Sequence, residues 1–395
     1  PKHTLDFGVS SNYYQLQPGK FTPRGSESLI KADELEKEQA LESALFIEDK
    51  FEVNPRLSIT GGIRYSFFQF LGPKTINKYV PGFPIDYPFQ DGTETFGKGK
   101  KIQNYGGPEF RASMRYSILD NLSLKLSYNT LRQYIHLLSN TMTISPTDIW
   151  KLSDRYIKPQ VGDQISLGLY RNYRNNKIEV SLEGYYRNIK NFLDYKGGDS
   201  LIMNHDIEAA VLNTNAKAYG VEFMVKKTTG KLNGWVSYTY ARTLLRAVDR
   251  DSPDAPNDGN YYPSNYDKPH DFTMITNYRL SHRFSLSLNF TYSTGRPYTP
   301  PIGKYLIDGA QRVFYADRNQ FRIPDYYRVD FGMNIEGNHK VKKLAHSSWS
   351  LSVYNLLGRK NPSSVYFQTK DGQVNGYQLS IFGQPIPTIT YNFRF

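Results

Sequence analysis

The acidic cluster Asp249, Asp251, Asp254 and Asp258 is the sequence's best arrangement for holding a metal ion. Alternating carboxylates can gather the hard oxygen ligands that calcium prefers. The glycine and the closing glutamate of a calcium-binding helix–loop–helix are missing, although Gly259 is nearby. A solvated acidic loop is therefore the first expectation, with calcium as the weaker alternative. Residues 92–99, GTETFGKG, nearly match the phosphate-cradling pattern but end on Gly99 where a magnesium-ligating hydroxyl is required. The seven histidines, at 3, 136, 205, 270, 282, 339 and 346, form no pair at helical metal-ligand spacing. His270, followed by Asp271, is expected to organise a strand start rather than bind metal. No G-x-S-x-G elbow exists, and the absence of cysteine excludes a thiol nucleophile and thiolate metal centres. No catalytic group and no cofactor is expected.

Two further sets of residues could bind rather than react. Arg64, Arg111 and Arg115, with Glu179, Glu183 and Arg187, occupy the polar positions of alternating segments. Such groups can line a wet lumen, where they would contact a solute or only water. Segments 79–89 (YVPGFPIDYPF) and 261–266 (YYPSNY) combine stiff prolines with Tyr79, Phe83, Tyr87, Phe89, Tyr261, Tyr262 and Tyr266; Tyr298, Tyr305 and Tyr315 fall in another connection. Rigid aromatic loops suit stacking on sugars, peptides or chelates because they lose little entropy on binding. Packing of the loops on themselves explains the same rings.

These candidates depend on elements with a period of two. Leu57, Ile59, Gly61, Ile63, Tyr65 and Phe67 alternate with Ser58, Thr60, Gly62, Arg64 and Ser66. The same pattern recurs at Phe110–Ile118, at Leu122–Tyr128, at Ile178–Tyr186 and at Phe284–Tyr292. Successive side chains on a strand face opposite ways, so each segment has one apolar and one polar face. About fourteen strands are expected, near 4–15, 39–52, 56–71, 108–118, 122–133, 161–173, 176–190, 217–228, 231–244, 269–280, 283–296, 326–337, 346–357 and 386–395. Residues 29–42 are expected to add a helical turn or two.

Short and long connections alternate along the chain, which collects every long one at the same end of the sheet. Antiparallel membrane barrels are built that way, with short turns on one side and long loops on the other. No apolar run is long enough for a membrane helix. The aromatic content, 32 Tyr and 23 Phe in 395 residues, gathers at strand ends: Tyr13 and Tyr14, Phe67 and Phe68, Tyr185 and Tyr186, Tyr238 and Tyr240, Tyr326 and Tyr327. Interface girdles lie at such positions. Ile389, Tyr391, Phe393 and Phe395 alternate to the last residue, similar to the C-terminal assembly signal of outer-membrane barrels. The formal charge of +12 is spread along the whole chain, which does not favour a nucleic-acid partner.

Several ordered segments resemble the barrel of TonB-dependent outer-membrane receptors. They are ALFIEDKFEVNPRLSITGGIRY (44–65), AYGVEFMVKKTTGKLNGWVSYTY (218–240), YDKPHDFTMITNY (266–278), YSTGRP (292–297), YRVDF (327–331), VYNL (353–356) and the terminal 388–395. The resemblance implies an all-β transmembrane antiparallel barrel, about fourteen strands here of about 22 in the family. The family's plug and TonB-contact segment have no counterpart in this chain, so residues 1–395 are expected to be the C-terminal part of the barrel, completed by another segment.

The implied function is active import of a scarce nutrient, without enzymatic chemistry, at the outer membrane of a Gram-negative bacterium. Implied partners are TonB through a segment outside this chain, the barrel-assembly machinery, and outer-membrane lipid and lipopolysaccharide. A surface lipoprotein is left open. A passive porin-like or structural barrel is the main alternative, followed by a soluble β-rich glycan-binding protein and a barrel hydrolase.

Overall fold

The computed structural model describes residues 2–25, 27–138, 148–196, 202–252, 254–307, 310–337, 346–370 and 373–394. Its main sheet is an antiparallel meander. In chain order the strands are β1 (His3–Leu16), β2 (Glu38–Asn54), β3 (Leu57–Leu71), β4 (Lys101–Leu119), β5 (Leu122–Gln133), β6 (Gln160–Tyr173) and β7 (Ile178–Tyr195). They continue as β8 (Val211–Lys227), β9 (Leu232–Ala247), β10 (His270–Arg279), β11 (Phe284–Ser293), β12 (Tyr326–Glu336), β13 (His346–Tyr354) and β14 (Ile386–Arg394). Each pairs with the strand before and after it in sequence. Among the described residues β1 and β14 each have one neighbour on this path, so the sheet is open. No described helix is long and apolar enough to cross a membrane, which says nothing of strands.

Local chemistry sets the short turns. Asn54 Oδ1 accepts from the backbone N–H groups of Arg56 and Leu57, closing the β2–β3 turn. Arg174, Asn175 and Asn176 adopt left-handed backbone between β6 and β7, where asparagine is among the better tolerated residues. Ser281 Oγ accepts from Arg283 and Phe284 before β11.

The opposite end carries further pairing. The long connections are not structureless: they carry small antiparallel hairpins, including Lys74–Tyr79 with Gln90–Phe96 and Ile135–Leu138 with Ile149–Leu152. Part of the near-phosphate motif is thus a hairpin strand. The helical turn expected over 29–42 does not form; that stretch holds the short strand Asp33–Glu34 and the start of β2. Alternating Ala40, Glu42 and Ala44 serve the sheet's period instead of a helix. Several strands also run further than expected toward the loop end, β4 from Lys101 and β8 from Val211.

The buried core lies at this loop end. Ala40, Phe68, Phe70, Ile76, Ile102, Tyr134 and Leu152 form one cluster. Leu138, Ile157, Ile207, Ala210 and Val211 form another, and Ala216, Leu245 and Tyr262 a third. Phe68 stacks on Tyr134 with centroids 4.8 Å apart, and the Tyr134 hydroxyl lies 2.8 Å from Ser66 Oγ.

The apolar faces of the strands stay uncovered. Register aligns Ile59, Met114, Leu126 and Leu167 across β3 to β6, and all four are exposed. The row continues through Gly184 to Val221 and Tyr240. A contiguous apolar surface of this extent requires an apolar environment. A soluble sandwich would have buried it.

Candidate ligand face at the long-loop end

Side chains on the polar face are held by cross-strand pairs. Arg64 on β3 reaches Glu42 of β2 at 3.2 Å and Glu109 of β4 at 3.0 Å. Arg111 and Arg115 stand opposite Gly62 and Ser58 in register, on the same face. Arg187 of β7 donates to Gln164 of β6, and Glu179 pairs with Lys226 of β8 at 3.4 Å. Glu183 stands opposite Glu222. All six charged residues singled out in the sequence therefore share this face, in two groups separated by β5 and β6.

The pairs of adjacent aromatics divide between the faces, as the period of two demands. Phe67 is exposed while Phe68 is fully buried. Tyr13 is exposed, whereas Tyr14 donates to Glu42 at 2.9 Å. Only one member of each adjacent pair can join a girdle, which corrects the expectation for Tyr14, Phe68, Tyr185 and Tyr326.

Above the sheet, a buried charge network ties the loops together. Lys151 Nζ lies 2.6 Å from both Glu38 Oε1 and Asp154 Oδ2. Burial pulls the Lys151 ammonium down, but Asp154 and Glu38 outweigh it and hold it above its ordinary range. Burial likewise opposes ionisation of Asp154, yet Lys151 and two backbone N–H groups keep its carboxyl below the usual value. His136 accepts at Nδ1 from Gln160 at 3.3 Å, so Nε2 carries the proton toward Ser153 Oγ at 2.9 Å. Burial, with Lys151 nearby, lowers His136 to about 4.

Next to this network is a cavity of about 280 Å³, lined by Glu36, Lys74, Asn77, Tyr156, His205 and Glu208 among others. Asn77 Nδ2 donates to Asp206 at 2.7 Å and to Glu208 at 2.8 Å, latching one loop to another. Burial raises the Glu208 carboxyl. A second cavity, of about 370 Å³, opens at the loop ends of β10 to β13. Its lining includes Lys268, Arg296 and Arg328 beside Tyr326, Tyr354 and Phe382. Arg328 is anchored by Asp330 at 3.0 Å and lies over the Tyr354 ring at 4.3 Å. Cations beside aromatic rings form a surface for anionic, ring-bearing ligands.

The ten loop aromatics do not form one platform. Tyr79 donates to Glu208 at 3.1 Å, Phe83 stacks on Phe89 at 5.0 Å, and Tyr87 donates to Asn204. Tyr262 is fully buried and donates to Asp194 at 2.7 Å, so it belongs to the core and not to a binding surface. Lys217 and Arg246 both lie over the Tyr261 ring, 3.8 and 4.3 Å from its centroid. Tyr266 lines a third cavity, Tyr298 stacks on Phe367, and Tyr305 and Tyr315 are exposed. Asp249, Asp251, Asp254 and Asp258 do not converge: no three acidic or histidine side chains among the described residues could share a metal ion. Asp254 is paired with Lys196 at 3.0 Å. Of the terminal signal, Ile389, Tyr391 and Phe393 are exposed on β14, and Phe395 lies outside the described residues.

Lys151, Glu38, Asp154, His136, Asp194 and Arg318 carry the loop-end polar contacts, and none was singled out from sequence. A lysine in an apolar strand such as IWKL is the one visible signal, since a buried charge requires a partner.

The family model described as "TonB dependent receptor-like, beta-barrel" matches residues 2–356. No curated protein matches. The fold is similar to the ferric yersiniabactin uptake receptor FyuA from Yersinia pestis, at 12% identity and TM-score 0.59, covering 100% of this chain and 52% of that one. The FrpB iron transporter from Neisseria meningitidis gives 14% and 0.58, covering 100% and 53%. The ferric-catecholate import receptor Fiu from E. coli K12 gives 14% and 0.53, covering 99% and 51%. The chain thus spans about half the length of these structures, and at such identities the likeness establishes the fold alone. Through the family match, supported by the antiparallel meander with all its long connections at one end, this chain belongs to the TonB-dependent receptor family as part of its β-barrel.

Proposed function

We propose that this chain is the C-terminal arc of an outer-membrane active transporter whose long loops capture a scarce nutrient. The exposed, register-matched apolar face carries the reading: it fits lipid, while the polar face fits a wet lumen holding a plug. Free edges at β1 and β14 are not tolerated in hydrocarbon, so further strands close the barrel. The plug and the TonB-contact segment lie in polypeptide beyond these residues. Relatives named for ferric-chelate import and for copper transport support a scarce metal, or its chelate, as the nutrient class. The cavity around Arg296, Arg328 and Tyr354 suits an anionic chelate. Ile389, Tyr391, Phe393 and Phe395 act as the assembly signal.

Uptake of radiolabelled ferric chelates tests the proposal in cells expressing the full-length protein, with TonB intact and with TonB removed. Accumulation with TonB intact and its loss with TonB removed is expected. Uptake that persists unchanged without TonB would instead identify a passive pore.

A further inference from the structure

The hairpin Pro362–Lys370 with Gln373–Ser380, in the connection between β13 and β14, has two unlike faces. Alternation sends Val365 and Phe367 to one side and Tyr366 and Gln368 to the other. The first side is packed. The Phe367 ring stacks on Tyr298 with centroids 6.2 Å apart, and it covers Gly376, where a Cβ would come within 3.1 Å of it. The second side is left to solvent. Register sets Tyr366 opposite Tyr377 and Gln368 opposite Asn375 there, and all four residues are exposed.

This exposed side carries rings and amides but no charge. The two tyrosine rings stack with centroids 5.4 Å apart and planes 19° apart. No acidic or basic residue occurs from Ser364 to Gln368 or from Asn375 to Leu379; charges begin at Lys370 and Asp371, toward the turn. Among the described residues, the Tyr366 and Tyr377 hydroxyls and the Gln368 and Asn375 amides have no hydrogen-bond partner. The base of the hairpin, by contrast, is fixed. Arg296 Nη2 donates to the Ser363 carbonyl at 2.8 Å, Ser363 Oγ to the Leu379 carbonyl at 3.0 Å, and Ser380 Oγ to the Asn361 carbonyl at 2.9 Å. Asn361 in turn donates to the Tyr327 carbonyl of β12 at 2.9 Å. A face held in place this way loses little entropy when it binds.

We propose that Tyr366, Gln368, Asn375 and Tyr377 bind a neutral hexose oligosaccharide. A pyranose presents a face of C–H groups, which suits the negative face of an aromatic ring, and hydroxyls around its rim. Each amide offers both donors and an acceptor, matching hydroxyls that do both. Two residues of strand advance about 6–7 Å, so a sugar on either ring brings its rim, or the next unit, to the amides. An anionic ligand finds no cation among these residues, and none of the four lines the Arg328 cavity. The site is therefore separate from the capture site proposed above.

The test is calorimetric titration of the full-length protein in lauryldimethylamine oxide, a detergent without sugar. The probes are glucan, mannan and galactan hexamers, with a galacturonate hexamer as the charged control. At least one neutral hexamer is expected to bind, with affinity unchanged as salt is raised. Tyr366→Ala with Tyr377→Ala should weaken it roughly a hundredfold, at about tenfold per ring. Gln368→Ala with Asn375→Ala should weaken it as well. Tyr366→Phe with Tyr377→Phe keeps both rings and should retain most binding, which separates stacking from loss of the hairpin. Binding of no neutral hexamer overturns the proposal, and so does binding that the alanine pair leaves intact. Tighter, salt-sensitive binding of the galacturonate hexamer overturns it too. A dimer that sediments as a monomer once both tyrosines are alanine, with no sugar bound by the wild type, would assign the face to a second copy of the chain instead.

Discussion

Lys151 Nζ meets Glu38 Oε1 at 2.6 Å, joining residues 113 positions apart in the chain. Both side chains are buried, and Glu38 Oε2 also accepts from the Leu152 N–H at 3.0 Å. Removing Lys151 leaves two buried carboxylates without their shared cation, Glu38 keeping only Lys74 at 3.4 Å, whereas removing Glu38 leaves Lys151 still paired with Asp154 at 2.6 Å. Lys151→Met should therefore destabilise the loop end by about 3–5 kcal/mol, and Glu38→Gln by less. The double replacement Glu38→Leu with Lys151→Met should recover part of that loss. Limited proteolysis of the loops across a temperature series reads both effects; equal resistance in wild type and single variants would refute the assignment.

His136 supplies a pH dependence of known sign. Its folded value of about 4 lies below the ordinary 6.5, so the unfolded loop binds a proton that the folded one resists. The stabilisation is complete above pH 6.5 and is lost progressively as pH falls toward 4, by about 3 kcal/mol in all. Thermal midpoints of wild type and His136→Gln should diverge in slope only within that window. Parallel curves would show that His136 does not titrate there.

Neighbouring residues on opposite faces should respond differently to the same substitution. Leu167 is exposed on the apolar face opposite Leu126, while Ser166 lies on the polar face with its Oγ 2.6 Å from Ser127 Oγ. Leu167→Arg should cost about 2–4 kcal/mol in the bilayer and lower surface levels. Ser166→Arg should be tolerated far better. Heat-modifiable migration of membrane extracts measures the folded fraction, and equal behaviour of the two variants would sink the lipid-face assignment.

Asp194 joins three elements at the loop end. It accepts from the Tyr262 hydroxyl at 2.7 Å and from Arg318 at 3.0 Å, and Arg318 lies 4.1 Å from the Tyr195 ring centroid. Tyr262→Phe should cost about 1–2 kcal/mol, and Asp194→Asn should cost more because it strands a buried guanidinium. Protease cleavage within 245–268 should follow that order; a reversed order would disprove the shared network.

Much of the sheet was legible from residue types alone. Alternation such as Leu57 to Phe67 against Ser58 to Ser66 fixes strand, face and partner face together, because side chains on a strand repeat every two residues. The long connections were legible only as lengths. Their hairpins are short, and their sequences lack a clean period, so Lys74–Tyr79 and Gln90–Phe96 find each other through tertiary packing. The helical turn expected over 29–42 failed for a related reason. Its apolar spacing fits either period, and pairing of β2 with β1 decided for the strand.

By itself, the sequence determined an antiparallel β wall with one apolar face, one polar face and every long loop at one end, since those features follow from local alternation and connection length. Only the tertiary structure decided which aromatics face outward, which loop tyrosines are buried, and which charges meet. Tyr261 and Tyr262 are adjacent in sequence, yet one ring meets two cations and the other fills the core. Pairing between distant charges such as Lys151 and Glu38 depends on how loops fold over the sheet, and no local period encodes that distance.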